Sequence, residues 1–313
     1  MCVKVRRWEP NMLNIVSEIE KLKTDKNAII LAHYYVDEEV QAIADYVGDS
    51  YYLSKIAKDC PNEIILFCGV SFMGESAKIL SPEKTVVIPD TLADCPMAHM
   101  VDIDKINDIK EKYEDVAVVC YINSTALVKS YSDVCVTSSN AVKIVNALPE
   151  HNIYFIPDHN LGKYVASQIP GKNFIFNDGF CHVHTSISKE NVLKAKEVYP
   201  DALILVHPEC NMDVLELADY IGSTSGIINY ATESVASRFI ICTEMGILYE
   251  LKKKNPNKKF YSVGHRQFCP NMKRITLERV KQALITLEPK IEINEKLRQQ
   301  AMVPLKKMLD LSI

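Results

Sequence analysis

The sequence has no cysteine pair in a C-x-x-C arrangement, although it contains 10 cysteines among 313 residues. That absence argues against a zinc ribbon and against a thioredoxin-like redox motif. Glycine and proline are scarce, with 10 and 14 residues, so we expect no low-complexity linker. No G-x-G-x-x-G fingerprint occurs, and the one P-loop-like spacing, at residues 69–76, has Glu75 where a phosphate-binding lysine is needed. Neither motif therefore predicts nucleotide binding.

An excess of positive charge and long apolar runs are also lacking. Asp and Glu outnumber Lys and Arg by 40 to 36, which disfavours binding to nucleic acid or to anionic membranes. No apolar run approaches the roughly 20 residues that a membrane-spanning helix needs. The N-terminus has no apolar stretch of the kind found in a secretory signal. We therefore expect a cytoplasmic protein that binds neither nucleic acid nor membrane.

An internal repeat organises the chain. Apolar runs of similar pattern end at His33, Tyr121 and His207, which are separated by steps of 88 and 86 residues. An acidic residue and a hydroxyl-bearing residue five positions later recur at the same steps: Asp45, Asp133 and Asp219, then Ser50, Ser138 and Thr224. The matched spacing predicts three related units of about 86 residues each.

Each unit alternates short apolar runs with amphipathic stretches, which is typical of βα units on a parallel sheet. In the second unit we predict strands at residues 116–122, 133–137, 153–156 and 173–176, with helices at residues 126–131, 139–148 and 161–168. The predicted fold is α/β, with three homologous three-layer α/β/α domains of parallel sheets in pseudo-threefold symmetry around a central cleft. The predicted boundaries are an N-terminal helical segment at 1–27, repeats at 28–114, 115–200 and 201–285, and a C-terminal helical segment at 286–313.

Polar residues follow the predicted strands at matched positions. Ligands of open parallel sheets bind beyond the carboxyl ends of the strands. There we find His33 and Tyr35, Tyr121 and Asn123, and His207 and Glu209. Hydroxyl residues stand just before predicted helices, where free backbone N–H groups favour anions, although such residues can also be simple helix caps: Ser50, Ser138, Ser223 and Thr224.

Three cysteines also recur at the repeat length. Cys95, Cys181 and Cys269 are separated by 86 and 88 residues, and each follows the last predicted strand of its unit. Three converging thiolates fit an iron–sulfur cluster with an open coordination position, while zinc with three thiolates and water is the alternative. A third interpretation is three unrelated buried thiols. The other cysteines are expected in strand cores (Cys68, Cys120, Cys135, Cys242), at the periphery (Cys2, Cys60) or near the cleft (Cys210).

Candidate proton-transfer groups lie among the same strand-end residues. We expect functional histidines at His33, His184 and His207. Glu209 is the predicted general base, because partial burial in the cleft can raise the pKa of a carboxyl group. Tyr35 and Tyr121 could supply or relay protons.

These motifs resemble those of the quinolinate synthase family from about residue 28 to residue 290. The likeness rests on residues 32–35, 44–50, 135–143, 207–210, 222–226 and 269–273. The resemblance implies a transferase of NAD biosynthesis that condenses iminoaspartate with dihydroxyacetone phosphate to quinolinate, phosphate and water. It also implies a [4Fe-4S] cluster held by Cys95, Cys181 and Cys269, with an open iron acting as a Lewis acid. An aspartate oxidase or dehydrogenase would supply the iminoaspartate.

The resemblance further assigns roles to the strand-end residues. It implies that the active site is lined by His33, Tyr35, Tyr121, Asn123, His184, His207 and Glu209. It implies that substrate anions are held by Ser50, Ser138, Ser223 and Thr224. Some family members have a C-x-x-C-x-x-C run at the third cluster cysteine, but only Cys269 is present here, so a regulatory disulfide is not expected.

Other functions remain alternatives at this stage. A diphthamide-synthesis or a reductive-dehydroxylating terpenoid enzyme would share a three-cysteine cluster but need S-adenosylmethionine or an electron donor. A non-catalytic iron–sulfur sensor should have a DNA-binding or partner-binding element, and no basic recognition helix is evident. A zinc-dependent lyase would be distinguished by metal analysis.

Overall fold

Three parallel β-sheets form the framework of the protein, which the computed structural model describes over residues 10–264 and 267–312. Each sheet has four strands, all from one predicted repeat. The strands are β1 (Ala28–His33), β2 (Tyr46–Gly48), β3 (Ile64–Cys68), β4 (Thr85–Val87), β5 (Val116–Tyr121), β6 (Val134–Val136), β7 (Asn152–Ile156), β8 (Asn173–Phe176), β9 (Leu203–Val206), β10 (Tyr220–Ile221), β11 (Arg238–Cys242) and β12 (Lys259–Ser262). The predicted α/β class is confirmed, whereas the pseudo-threefold arrangement stays a prediction.

Helices flank the sheets and occupy both ends of the described part of the chain. They are α1 (Pro10–Asp25), α2 (Glu38–Ile43), α3 (Ser50–Asp59), α4 (Ser71–Leu80), α5 (Ile103–Lys112), α6 (Ala126–Ser130), α7 (Ala141–Ala147), α8 (His159–Gln168), α9 (His182–Thr185), α10 (Lys189–Val198), α11 (Met212–Leu215), α12 (Thr224–Glu233), α13 (Ile247–Lys254), α14 (Leu277–Thr286) and α15 (Glu295–Leu311). Short 3-10 turns occur at Pro96–His99 and Met272–Arg274. Residues 1–9 of the predicted N-terminal segment, which include Cys2, and residue 313 lie outside the described residues.

The three sheets share one strand order. It is β2-β1-β3-β4 in the first sheet, β6-β5-β7-β8 in the second and β10-β9-β11-β12 in the third, with every neighbouring pair parallel. In each sheet the chain leaves the first strand toward one edge and the third strand toward the other. Such a reversal opens a crevice at the carboxyl ends of these two strands, where open α/β sheets bind their ligands.

The repeated aspartates hold the first two strands of each sheet together. Asp133 Oδ2 accepts the backbone N–H of Val118 at 2.7 Å, and the Asp133 N–H donates to the Val118 carbonyl at 2.9 Å. Asp45 makes the same pair of bonds to Ile30, and Asp219 makes it to Ile204. A carboxylate that accepts a backbone N–H forms a charge-assisted bond. The recurrence of aspartate at the repeat step therefore has a structural cause.

The predicted elements of the second repeat are present, with shifts at their ends. All four strands and three helices occur within two residues of their predicted bounds. Helix α7 begins at Ala141 rather than at residue 139, because the side chain of Asn140 accepts the Thr137 N–H and forms a turn first. Helix α8 begins earlier, at His159, because Asp158 Oδ1 accepts the Leu161 N–H at 2.7 Å and caps the first turn.

The apolar core differs between the sheets. One large cluster joins the first two sheets with the helices at the chain ends. The third sheet has a separate cluster on each face, since successive strand side chains point to opposite faces: Ile240 and Cys242 on one, Phe239 and Ile241 on the other. Among the described residues, no helix is both long and apolar enough to cross a bilayer.

Candidate active site

The carboxyl ends of strands from all three sheets open into one cavity of about 800 Å³, measured with its opening to solvent. Its wall contains almost all of the predicted site residues: His33, Tyr35, Ser50, Cys95, Tyr121, Asn123, Ser138, Cys181, His184, His207, Glu209, Thr224 and Cys269. Ser223 is not among the described residues that line it. Residues separated by more than 200 positions in sequence therefore face one space.

Two buried histidines have the same local geometry in the first and third repeats. His33 Nδ1 accepts the backbone N–H of Tyr35 at 3.2 Å, and His207 Nδ1 accepts that of Glu209 at 3.3 Å. A ring nitrogen that accepts is unprotonated, so each neutral ring has its proton on Nε2. Burial lowers the pKa of both histidines to about 3. Both are therefore neutral hydrogen-bond donors at physiological pH.

Glu209 is the centre of the polar contacts. Its Oε1 accepts the hydroxyl of Tyr121 at 2.5 Å, and its Oε2 lies 2.7 Å from Nδ1 of His184. Burial alone would raise its pKa, as the sequence suggested, but the charge of His184 and the hydrogen bonds to His184 and Tyr121 outweigh burial. The pKa of Glu209 is lowered to about 2, so the expected raised pKa is wrong and the group is ionised.

Tyr121 is buried, Tyr35 is half-buried, and both are protonated. Burial, together with the negative charge of Glu209, raises the pKa of Tyr35 and of Tyr121 well above the usual value. The hydroxyl of Tyr35 is 2.8 Å from Thr224 Oγ1 and 2.9 Å from Thr243 Oγ1. Tyr121 therefore donates its proton to Glu209, whereas either oxygen can be the donor in the two hydroxyl contacts of Tyr35.

The predicted anion-binding residues have different roles at their helix starts. Ser50 is the first residue of α3, whose cap is Asp49, and Thr224 is the first residue of α12. The hydroxyl of Ser223 accepts the Gly226 N–H at 3.1 Å and caps α12. Asn123 Oδ1 is buried, and no hydrogen-bond partner for it exists among the described residues. An acceptor in that state matches a donor on a bound molecule.

The three repeat-equivalent cysteines are half-buried, free and part of the cavity wall. Each begins or precedes a short helical turn after the last strand of its sheet. Burial raises the pKa of Cys95 to about 12, and it also raises the pKa of Cys181 and Cys269. The backbone N–H of Cys95 donates to Asp94 at 2.8 Å, and that of Cys269 donates to Glu244 at 3.1 Å. Carboxylates thus hold two of the three cysteine loops.

A group of metal-ligating atoms lies at one of these cysteines. Cys181 Sγ, a ring nitrogen of His184 and a carboxylate oxygen of Glu209 lie within 4.8 Å of one another.

The remaining cysteines of the described residues do not line the cavity. The four predicted strand-core cysteines are fully buried, and so is Cys210, which packs in the core of the third sheet instead of near the cleft. Cys60 lies half-buried at the end of α3.

The sequence reasoning missed Thr243 and Glu244, which follow β11. Thr243 Oγ1 contacts both Tyr35 and His184, each at 2.9 Å. Glu244 lines the cavity, and its Oε1 pairs with Nζ of Lys273 at 3.3 Å. The strand order provides the missing signal, because it opens the crevice at the third strand as well as the first.

Comparison with known proteins gives a consistent answer. A family model described as quinolinate synthetase A protein matches residues 17–310. A quinolinate synthase of Caldicellulosiruptor saccharolyticus is 55% identical over 298 residues, covering 95% of this chain and 98% of the relative. Those of Fusobacterium nucleatum and Clostridioides difficile are 53% and 52% identical, covering 94% and 92% of this chain and 98% and 95% of the relatives. With such similarity over nearly its whole length, the chain is an enzyme and belongs to the quinolinate synthase family.

Proposed function

We propose that this enzyme condenses iminoaspartate with dihydroxyacetone phosphate to give quinolinate, phosphate and water in de novo NAD biosynthesis. The observation that carries the proposal is the family match over residues 17–310, together with one cavity that gathers polar residues from three sheets. The substrates are small anions, and a cavity of this size suits ligands of that class. We also propose a cytoplasmic enzyme that receives iminoaspartate from an aspartate oxidase or dehydrogenase.

We further propose that Cys95, Cys181 and Cys269 hold a [4Fe-4S] cluster. The support is the donor set: three free thiols reach one cavity, and among the described residues no fourth cysteine lines it. Cys269 lies close enough to Cys95, and Cys95 close enough to Cys181, for a thiolate at one to raise the pKa of the next, as expected of neighbouring sulfurs. When bound, the cluster would supply Lewis acidity at the iron that has no cysteine ligand.

The substrates carry three anionic groups, which are two carboxylates and one phosphate. We propose that the hydroxyls of Ser50, Ser138 and Thr224 bind them at the cavity wall, since all three line it. Helices α3 and α12 add backbone N–H groups that favour anions. Ser223 would contribute indirectly, because its hydroxyl caps α12.

Proton handling would be divided between the buried side chains. Ionised Glu209 would accept protons, with Tyr121 and His184 holding its two oxygens in place. Neutral His33 and His207 would donate from Nε2 to carbonyl or carboxylate oxygens of the substrates. Tyr35 would act at the other side of His184, where its hydroxyl contacts Thr224 and Thr243.

The decisive experiment is quinolinate formation by anaerobically purified protein supplied with iminoaspartate and dihydroxyacetone phosphate. We expect turnover that is lost on exposure to oxygen. Absence of product from protein with its full content of iron and sulfide would overturn the proposed reaction, and the other three-cysteine cluster enzymes would then be tested.

A second candidate is a mononuclear metal site, favoured by the atoms of Cys181, His184 and Glu209 that lie within 4.8 Å of one another. Such a mixed sulfur, nitrogen and oxygen set suits zinc. Metal analysis separates the two: about four irons with inorganic sulfide per chain support the cluster. One zinc without sulfide supports the mononuclear site.

A further inference from the structure

The three cavity cysteines lie in short segments that belong to three different repeats. We name these the Cys95 segment (residues 90–100), the Cys181 segment (residues 177–185) and the Cys269 segment (residues 267–274). Each segment follows the last strand of its own sheet. The local chain therefore cannot set the distances between the thiols, so contacts between the segments must do so.

Asp90 joins the Cys95 segment to the Cys269 segment. Its Oδ1 accepts the backbone N–H of Leu92 at 2.8 Å, which fixes a turn within the Cys95 segment. Its Oδ2 accepts the Nε–H of Arg274 at 2.9 Å and lies 3.0 Å from the NH1 nitrogen of Arg279. Arg274 is the last residue of the 3-10 turn in the Cys269 segment. One carboxylate therefore holds both segments, with one oxygen for each.

The surroundings of Asp90 favour a strong ion pair. Only 10% of its side chain is exposed, so water competes little for its oxygens. Two guanidinium groups share its Oδ2, and Arg279 also donates to the backbone carbonyl of Arg274. Such charge-assisted bonds are stronger than neutral ones, whereas isolated exposed pairs contribute little. None of these three side chains belongs to the cavity wall formed by the described residues, so the pair acts on the segments and not on a substrate in the cavity.

A second contact joins the Cys181 segment to the Cys95 segment. The buried side-chain amide of Asn177 donates to the Met100 carbonyl at 2.6 Å and to the Pro157 carbonyl at 3.0 Å. A Cβ atom at Gly179 would lie 3.1 Å from the Cβ of Met100 and 2.6 Å from the Pro157 carbonyl oxygen. Glycine at this position therefore permits the close approach of the two segments.

Both contacts end on the Cys95 segment. We propose that this segment is a hub, and that Asp90 and Asn177 are positioning residues that hold the Cys269 and Cys181 segments against it, ready to bind one group. Neither contact uses a thiol, so both are available in the metal-free chain. A ligand set that is already ordered loses less conformational freedom when its metal binds. The inference rests on the proposed function for the identity of the bound group, the [4Fe-4S] cluster.

The test is the rate at which anaerobic, cluster-loaded protein loses iron to an excess of a ferrous chelator. Asp90→Asn keeps an oxygen for the Leu92 N–H but loses the charge that pairs with the two arginines. We expect iron loss about 5- to 20-fold faster than in the wild type, because the Cys269 segment is then free to move away from the other two. Asn177→Ala should also accelerate iron loss, because it releases the Cys181 segment.

A double-mutant cycle ties the effect to the ion pair. Arg274→Gln should accelerate iron loss less than Asp90→Asn does, because Arg279 still pairs with Asp90. The double variant should stay within about twofold of Asp90→Asn, since both changes remove the same contact. Arg238→Gln is the matched control: Arg238 also pairs with an aspartate, Asp201, in the third repeat, but lies outside the three segments, so its iron loss should stay within about twofold of the wild type.

Three results would overturn the inference: iron loss at the wild-type rate in Asp90→Asn, equal acceleration in Arg238→Gln, or multiplied effects in the double variant. If Asp90→Asn did not fold, the half-exposed Arg274 would decide the question, and an unchanged rate in Arg274→Gln would overturn the inference. Iron loss is measured without substrate. A wild type that holds its cluster but makes no quinolinate would therefore count against the proposed reaction alone.

Discussion

Two kinds of position recur at the repeat step of this molecule. At one kind the three repeats have the same residue, and at the other they have different residues. At the edge between the first and second strands, all three repeats have aspartate, and all three aspartates make the same two hydrogen bonds. Beyond the first strand, the repeats have different residues at one equivalent position: Tyr35, Asn123 and Glu209. A task performed once per sheet is served by one residue type, whereas the single reaction that we propose for the shared cavity would use three different groups.

The cysteines extend the comparison. Cys95, Cys181 and Cys269 are identical, like the aspartates, yet they line the cavity, like the divergent set. The presence of the same residue type in all three repeats fits a single bound group that takes one cysteine ligand from each repeat. Substitutions at shared and at divergent positions test whether this distinction holds.

Loss of one cavity cysteine should have the largest effect. We expect Cys181→Ser to reduce bound iron from about four to below about one atom per chain, because a hydroxyl replaces one of three thiolate ligands. Cys60→Ser is the control, since Cys60 is also half-buried but lies outside the cavity wall. Iron and sulfide are measured in anaerobic protein. Full iron in Cys181→Ser would show that the shared cysteines do not serve one group.

Removing the charge of a divergent residue should abolish most of the activity and leave the fold intact. Glu209→Gln keeps the size of the side chain but loses the ionised acceptor between Tyr121 and His184, so we expect kcat to fall about 10²- to 10⁴-fold. Glu250→Gln, a change at a buried carboxylate of the same repeat outside the cavity wall, should stay near wild type. If Glu209→Gln and Glu250→Gln had kcat values within threefold of each other at equal iron content, the role given to Glu209 would be contradicted.

The sequence predicted the repeated features well, because a pattern that is weak in one repeat becomes a strong signal when it occurs three times at the same spacing. The step of 86 to 88 residues predicted three sheets and selected the cysteines that line one cavity. The boundaries of α7 and α8 were less accurate, because they depend on one turn-forming bond of Asn140 and one capping bond of Asp158.

Features that depend on contacts between repeats were not predictable. The lowered pKa of Glu209 comes from His184, which is 25 residues away in sequence and 2.7 Å away in space. Thr243 was missed because its importance lies in contacts with Tyr35 and His184, which belong to other repeats. Strand order, which the sequence did not reveal, is the information that would have drawn attention to it.

The paired histidines predict a dependence of stability on pH in the metal-free chain. His33 and His207 have a folded-state pKa of about 3, against an ordinary value of 6.5. Between these values the unfolded chain binds protons that the folded chain does not, so the free energy of unfolding should decrease as pH falls from 6.5 toward 3. Urea unfolding at pH 7, 6 and 5 measures the slope. His207→Gln should make it shallower, and an unchanged slope would show that His207 does not stay neutral.

The smallest effect is expected at the shared aspartates. Asp219→Ala removes the acceptor for the Ile204 N–H, so we expect a loss of about 1–3 kcal/mol in the free energy of unfolding. Because Asp219 lies at the edge of its sheet and does not line the cavity, iron content and kcat of the folded protein should not change. Asp213→Ala, at an exposed position nearby, should cost less than about 0.5 kcal/mol. If Asp219→Ala lowered kcat at full iron content, the shared positions would also take part in the chemistry, and the division between scaffold and reaction would fail.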